Sequence, residues 1–362
     1  MGESMKVVAV LYPGGEAAKE TPEFLGCVEN CLGIRDMVAS YGHELVALSD
    51  AGAGLDKHIP TADVIIATPF WPAYVDRKRI KNAANLRLLL TAGVGSDHFD
   101  LAAAAEREIT VAEITGSNVV SVAEHVVMQI LILVRNFLPA YRDVMDGGWN
   151  IGEDVGRNSE GNAGAHDLED KTVGIVGMGR IGQRVAARLK PFDVDLRYYD
   201  FRHLSTVEEQ YLGVRYMTLD SLLKECDVVS INCPLTPETE GLFNRERLGS
   251  MKKGAYLVNT ARGKIVDTDA LTEVMREGHL AGYAGDVWYP QPAPSDHPWR
   301  SMPNHAMTPH VSGTSLEAQK RYAEGIRDCL ECFFEGRSLD RDYLIVDGGK
   351  VACAEIVRIL QR

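Results

Sequence analysis

Gly177-Met178-Gly179-Arg180-Ile181-Gly182 is a GxGxxG run directly behind the apolar stretch Thr172–Val176 and at the start of an amphipathic stretch, 180–190. In a strand–turn–helix setting those residue types receive a dinucleotide. The first glycine permits the tight turn, the second lets the backbone approach a pyrophosphate, and the third lets helix and strand pack closely. Free N–H groups and the positive end of the helix dipole then face the phosphates. Asp200 closes the next apolar run, 18 residues beyond Gly182. A carboxylate there accepts hydrogen bonds from ribose hydroxyls and repels a 2′-phosphate, so the expected cofactor is NAD rather than NADP. Arg202 and His203 follow directly and soften that preference. The plainer use of Asp200 is as a strand-end cap, since Asp is common in such turns.

Two other groups sit where apolar runs end. Val258-Asn259-Thr260-Ala261-Arg262-Gly263 places a guanidinium at a strand's carboxyl end, where ligands of such sheets bind. Its planar fork matches a carboxylate, although a surface ion pair is the plainer use. Thr308-Pro309-His310-Val311-Ser312-Gly313 puts an imidazole between an apolar run and a glycine turn. His310 there is a candidate beside the reacting atoms.

The elements that must position these groups form two alternating series. Residues 6–11, 44–48, 63–67 and 86–91 read as strands, with helices at 31–41 and 76–83 between them. Residues 118–145 read as one long helix, bounded by Gly116-Ser117 and Gly147-Gly148. A second series begins at Lys171, with strands at 172–176, 194–199, 228–232, 255–259, 280–286 and 306–308 and a last long helix at 314–334. Strands alternating with helices imply parallel sheets covered on both faces. The expected fold is therefore α/β, with two doubly wound parallel-sheet domains. The position of the last helix returns the chain to the first of them. A Rossmann NAD-binding domain, 118–311, is then inserted into a discontinuous flavodoxin-like catalytic domain, 1–117 plus 312–362.

At 362 residues the chain has room for about two domains. Its hydrophobic content of 45% and charged content of 25% exclude a disordered or fibrous protein. A net charge of −13 argues against nucleic acid as a partner. The most apolar stretch, 119–137, carries Glu124, His125, Gln129 and Arg135, which argues against a membrane span. Met1–Ser4 reads as a short polar tail, and the acids of the first 30 residues are unlike a targeting segment. Seven scattered cysteines, an odd number, fit reduced thiols and a cytoplasmic location. Cys329 and Cys332 form a CxxC without a second ligand pair nearby, so no metal is expected.

Several longer runs together resemble the NAD-dependent formate dehydrogenases of the D-2-hydroxyacid dehydrogenase superfamily. They are Thr68-Pro69-Phe70-Trp71-Pro72-Ala73-Tyr74, Ala92-Gly93-Val94-Gly95-Ser96-Asp97-His98, the run from Gly116 through Asn118 to His125, and Gly285 through Gln291 to Arg300. The resemblance covers nearly the whole chain and implies formate as substrate. Arg262 and Asn118 would hold its carboxylate, assisted by the backbone at Val94, with Pro69 and Phe70 walling the pocket. His310 would lie beside the substrate, paired with Gln291. Arg180, Ile181, Asp200, Thr260, Asp286, His310, Ser312 and Gly313 would contact NAD, together with Gly177, Gly179, Gly182 and the loop Pro234-Leu235-Thr236. A homodimer built on the NAD-binding domains is implied as well. Other uses stay open: Asn118 as a helix N-cap, Pro69 and Phe70 as core, Gln291 as a loop amide.

Gln291 bears on the choice of substrate. A 2-hydroxyacid dehydrogenase moves a hydride and a proton, and its His is balanced by a neighbouring Glu. Formate surrenders only a hydride, so an uncharged amide suits it. The alternatives are a D-2-hydroxyacid or glyoxylate reductase and a non-catalytic NAD-binding scaffold. One departure from the family is Thr236, where a His is usual; it bears on cofactor packing. The sequence also runs only a short way past 356–360, so a longer tail over the cofactor is not expected.

Overall fold

The computed structural model describes residues 4–148 and 164–351. Residues 1–3 of the polar tail, Cys353 and the 356–360 segment lie outside the described residues. The chain divides into two compact units, one running to Asn118 and resuming at Gly313, the other Val119–Ser312.

The first unit is built on β1 (Lys6–Val10), β2 (Glu44–Leu48), β3 (Val64–Ala67), β4 (Leu88–Thr91) and β5 (Thr110–Glu113). These pair in parallel in the order β5-β4-β3-β1-β2. That is the flavodoxin-like winding, in which the chain reverses direction across the sheet at β1. Side chains leave a strand alternately to either face. Val7, Ala9, Val64, Ile66, Leu88 and Leu90 accordingly enter one core, while Val8, Val10, Ile65, Ala67 and Leu89 enter the other. Burial on both faces is why these strands read as continuous apolar runs. Their helices start where carboxylates cap them: Asp76 accepts from Arg79 N–H and Asp100 from Ala103 N–H, both at 2.8 Å.

The second unit carries β6 (Thr172–Val176), β7 (Asp195–Tyr199), β8 (Val214–Tyr216), β9 (Val228–Ile231), β10 (Tyr256–Asn259), β11 (Gly282–Gly285) and β12 (His305–Met307). All pair in parallel, in the order β12-β11-β10-β9-β6-β7-β8. β6 lies between β7 and β9, so the strand order reverses there. The carboxyl ends of β6, β7 and β9 flank the crevice in which such sheets bind ligands.

The stretch expected as one helix over 118–145 is two, Val119–Val134 and Phe137–Met145, bent by 70°. Asn136 makes the break with φ at +49°, a left-handed conformation that Asn tolerates better than most residues. The bend separates two environments. Val122, Ala123, Val126, Ile130 and Leu133 of the first helix lie in the core, whereas the second buries none of its residues. Among the described residues no single helix is long and apolar enough to cross a membrane.

The chain re-enters the first unit through the helix Leu316–Phe334 and adds β13 (Leu344–Asp347) and β14 (Lys350–Val351). Both are antiparallel, β13 to β5 and β14 to β13, so the first sheet is not wholly parallel as expected. β13 covers the β5 edge, which would otherwise stay unpaired, and β14 covers β13 in turn.

Candidate active site

In the second unit the glycine-rich turn forms a cradle that only glycines can make. Gly177 has φ at +97°, and a Cβ there would lie 2.5 Å from Cys233 N. A Cβ at Gly182 would lie 2.1 Å from Gly177 O. Gly179 stands at the N-cap of the helix Arg180–Leu189, so the helix's first N–H groups open onto the turn. The residues present therefore fit a pyrophosphate. Ile181 packs on the core below, and Arg180 at the helix start is exposed.

Asp200 ends β7 with one carboxylate oxygen accepting from Met178 N–H at 2.6 Å and the other from Arg202 N–H at 2.9 Å. It thus ties the glycine turn to the adjacent strand end, and each oxygen keeps lone-pair capacity for a hydroxyl. Behind the turn, burial pushes the Cys233 thiol up to about 12, which makes it inert rather than nucleophilic. The Pro234-Leu235-Thr236 loop is closed by Thr239, whose hydroxyl donates to Pro234 O at 2.7 Å and accepts from Thr236 N–H at 2.8 Å.

Arg262 follows β10, with Thr260 buried beside it. Asn259 fixes this turn, accepting from Ala261 N–H and donating to Arg262 O, both at 3.0 Å. The Arg262 guanidinium donates to Ala261 O at 2.8 Å and is partly exposed. Gly263 lets the loop after β11 lie against this segment, since a Cβ there would be 2.4 Å from the Trp288 carbonyl carbon. That loop carries Gln291. It is held by Trp288 Nε1, which donates to Thr308 O at 2.9 Å, and by His297 Nε2, 3.1 Å from Tyr289 O.

His310 is 7% exposed, with φ at +57°. A residue with a side chain stays in that region only when its surroundings hold it there. Asp286 does so. It is fully buried, and its carboxylate accepts from the Thr308 hydroxyl at 2.5 Å, Val311 N–H at 2.8 Å and Ser312 N–H at 2.8 Å. The His310 ring meets Gln291, whose Nε2 and Oε1 lie 2.7 Å and 2.9 Å from Nδ1.

The first unit holds its own group of expected site residues. Asn118 is 5% exposed, and its Oδ1 has no hydrogen-bond partner among the described residues, so the side chain does not act as a helix cap. Gly313 makes room for it: a Cβ there would meet Asn118 Nδ2 at 2.7 Å and the Phe70 ring at 3.1 Å. Gly93, with φ at +140°, brings its backbone against Pro69 and Phe70, where a Cβ would lie 3.0 Å from Pro69 Cδ. Val94 is the next residue on this turn. Sequence reasoning passed over Glu113, which ends β5 and reaches the same turn. An acid closing an apolar strand is the pattern seen at Asp200, but the turn that Glu113 reaches lies 18 positions away.

Residues 127–312 match the family described as D-isomer specific 2-hydroxyacid dehydrogenase, NAD binding domain. The mitochondrial formate dehydrogenase of Solanum tuberosum is 52% identical over 351 residues, covering 96% of this chain and 90% of that one. The formate dehydrogenase of Pseudomonas sp. (strain 101) is 52% identical over 352 residues, covering 94% of this chain and 86% of its own. Among solved structures, the NAD-dependent formate dehydrogenase of Staphylococcus aureus in complex with NAD superposes with a TM-score of 0.87 at 50% identity. That match covers 94% of this chain and 99% of that one.

Proposed function

The chain belongs to the D-isomer specific 2-hydroxyacid dehydrogenase family and, within it, to the formate dehydrogenases; from that premise we infer that it oxidises formate to carbon dioxide with NAD as acceptor. NAD, when bound, supplies the oxidised nicotinamide ring that takes up the hydride. The chain's own residues bind, orient and exclude water. Gly177, Gly179, Arg180, Ile181 and Gly182 receive the pyrophosphate and Asp200 the ribose hydroxyls. The Pro234-Leu235-Thr236 loop, Thr260, Asp286, His310, Ser312 and Gly313 complete the cofactor contacts. The Arg262 guanidinium, the Asn118 amide and the Val94 backbone hold the formate carboxylate, and Pro69 and Phe70 keep water from it. Holding the C–H in one orientation against the ring is part of what such a site contributes.

The observation that carries this reading is the His310–Gln291 pair. Formate has no O–H proton to remove, so its oxidation asks for no base. A carboxamide orients an imidazole without balancing a positive charge on it, whereas reduction of a 2-oxoacid would need an imidazole that gives up a proton. The test is the near-ultraviolet absorbance of the reduced cofactor. NADH should accumulate with formate and NAD, and should not be consumed with glyoxylate. Consumption with glyoxylate and no formation with formate would overturn the reading.

A homodimer through the NAD-binding unit belongs to the same reading. Phe137, Tyr141, Val144 and Met145 are 50–66% exposed on one short helix, an apolar surface that a second copy would cover. Sedimentation at micromolar concentration should give twice the chain mass. A cytoplasmic location is proposed with it, on the free thiols of Cys27, Cys31, Cys226, Cys233, Cys329 and Cys332. Cell fractionation tests that location against the mitochondrial one named for the potato relative.

A further inference from the structure

The turn that carries Val94 has no regular secondary structure of its own to hold it. It is flanked by Gly93 and Gly95, with φ at +140° and +103°, so its backbone has little intrinsic stiffness. Hydrogen bonds hold it on both sides of Val94. On the near side, Ile114 N–H donates to Gly93 O at 3.0 Å. On the far side, Gly95 N–H donates to Glu113 Oε2 at 2.8 Å. The same Oε2 accepts from the Ser96 hydroxyl at 3.0 Å. Ser96 Oγ lies 2.9 Å from Thr91 Oγ1 at the end of β4. Since Ser96 gives its only proton to Glu113, Thr91 donates to Ser96, and the chain runs Thr91 to Ser96 to Glu113. Glu113 is 8% exposed, Ser96 6% and Thr91 fully buried. A carboxylate is costly to bury, and here its Oε2 joins the end of one strand to a turn anchored on the end of its neighbour.

We propose that Glu113 is a positioning residue for formate: it sets the backbone turn Gly93-Val94-Gly95 that receives the substrate carboxylate. This rests on the reading of Val94 given above. In this role Glu113 acts through the turn it holds rather than by contact with substrate or cofactor. Its effect is therefore on the affinity for the one-carbon anion, and not on the nucleotide cradle, which lies in the other unit and is tied together by Asp200.

The experiment compares Glu113→Ala and Glu113→Gln in the full-length protein. It reads the KM for formate, the inhibition constant of azide (a linear anion of formate's size) and the Kd for NAD by titration. In Glu113→Ala the first two should rise by about tenfold or more, as a misplaced contact does, with the NAD Kd within about twofold of the parent. Glu113→Gln keeps an oxygen that can accept from Gly95 N–H and Ser96, so it should restore most of both constants. If Glu113→Ala leaves formate and azide within about threefold of the parent, or weakens NAD in step with them, the positioning role is overturned. Should Glu113→Ala not fold, Ser96→Ala removes one of the two bonds at Oε2. It should shift formate and azide the same way by a smaller factor, and no shift would overturn the proposal. A parent protein that neither oxidises formate nor binds azide would overturn the functional reading as well; an active parent with an indifferent Glu113→Ala overturns the positioning role alone.

Discussion

Both ends of the Gln291 amide reach His310 Nδ1, Nε2 at 2.7 Å and Oε1 at 2.9 Å. A carboxylate at the same position could only accept, and it would favour a proton on the ring. Gln291→Glu should therefore depress formate oxidation. It should also make kcat/KM fall away at low pH in a way the parent does not, because a charged imidazolium–carboxylate pair replaces a neutral one. A pH–rate profile of both proteins checks this. Superimposable profiles would show that the amide's neutrality is irrelevant.

The Asn259 side chain braces Ala261 N–H and Arg262 O, two bonds that do not need the Arg262 guanidinium. Arg262→Ala should leave the strand end and NAD binding intact. Losing a hydrogen-bonded charge partner of the substrate should lower kcat/KM for formate by roughly 100- to 1,000-fold. Steady-state kinetics with a parallel NAD titration separate the two effects. Retention of most of the turnover would refute the carboxylate clamp.

Asp200→Gln removes the negative charge that would face a 2′-phosphate. The ratio of kcat/KM with NADP to that with NAD should rise by about tenfold or more, because tenfold is about 1.4 kcal/mol and a like-charge contact costs several. Asp200 also accepts from Met178 N–H, so NAD affinity should fall somewhat in the same variant. An unchanged ratio would remove Asp200 from the ribose site.

Burial lowers the pKa of His125 from the ordinary 6.5, against an opposing pull from the Asp286 carboxylate. Burial also lowers that of His305, opposed by a hydrogen bond to the Arg300 backbone and aided by the Arg142 charge. Each ring is thus harder to protonate folded than unfolded. The unfolded chain binds the extra protons first, so stability is complete above 6.5 and declines as pH falls toward the depressed folded values. Denaturant midpoints should drop between about pH 7.5 and about pH 5.5. The drop should shrink in His125→Gln, which keeps a donor for Thr308, 3.2 Å from Nε2 in the parent.

The residues legible in advance share one property: their signal is local. The glycine run announces itself because strand, turn and helix are contiguous. Asp200, Arg262 and His310 each close an apolar run. Where a signal depends on distant partners, sequence reading falters. Nothing near Glu113 or Asp286 in the chain shows that their carboxylates hold turns at Gly95 or His310, because those bonds span 18 and 25 or more positions. The apolar spacing over 118–145 continues through the bend, and only the left-handed Asn136 breaks it. The three-residue strand β8 is too short to show a period.

β13 sets Leu344 beside Ala112, partners separated by 232 positions and by the whole of the second unit. A ribosome therefore delivers a complete nucleotide-binding unit while β5 still lacks its last neighbour. Because domains generally fold as they emerge, the first to be made is the last to be finished. A nascent chain arrested before residue 344 would carry a native cofactor cradle beside a raw sheet margin. Until the C-terminal strand arrives, that margin offers unpaired backbone groups to another copy of the chain.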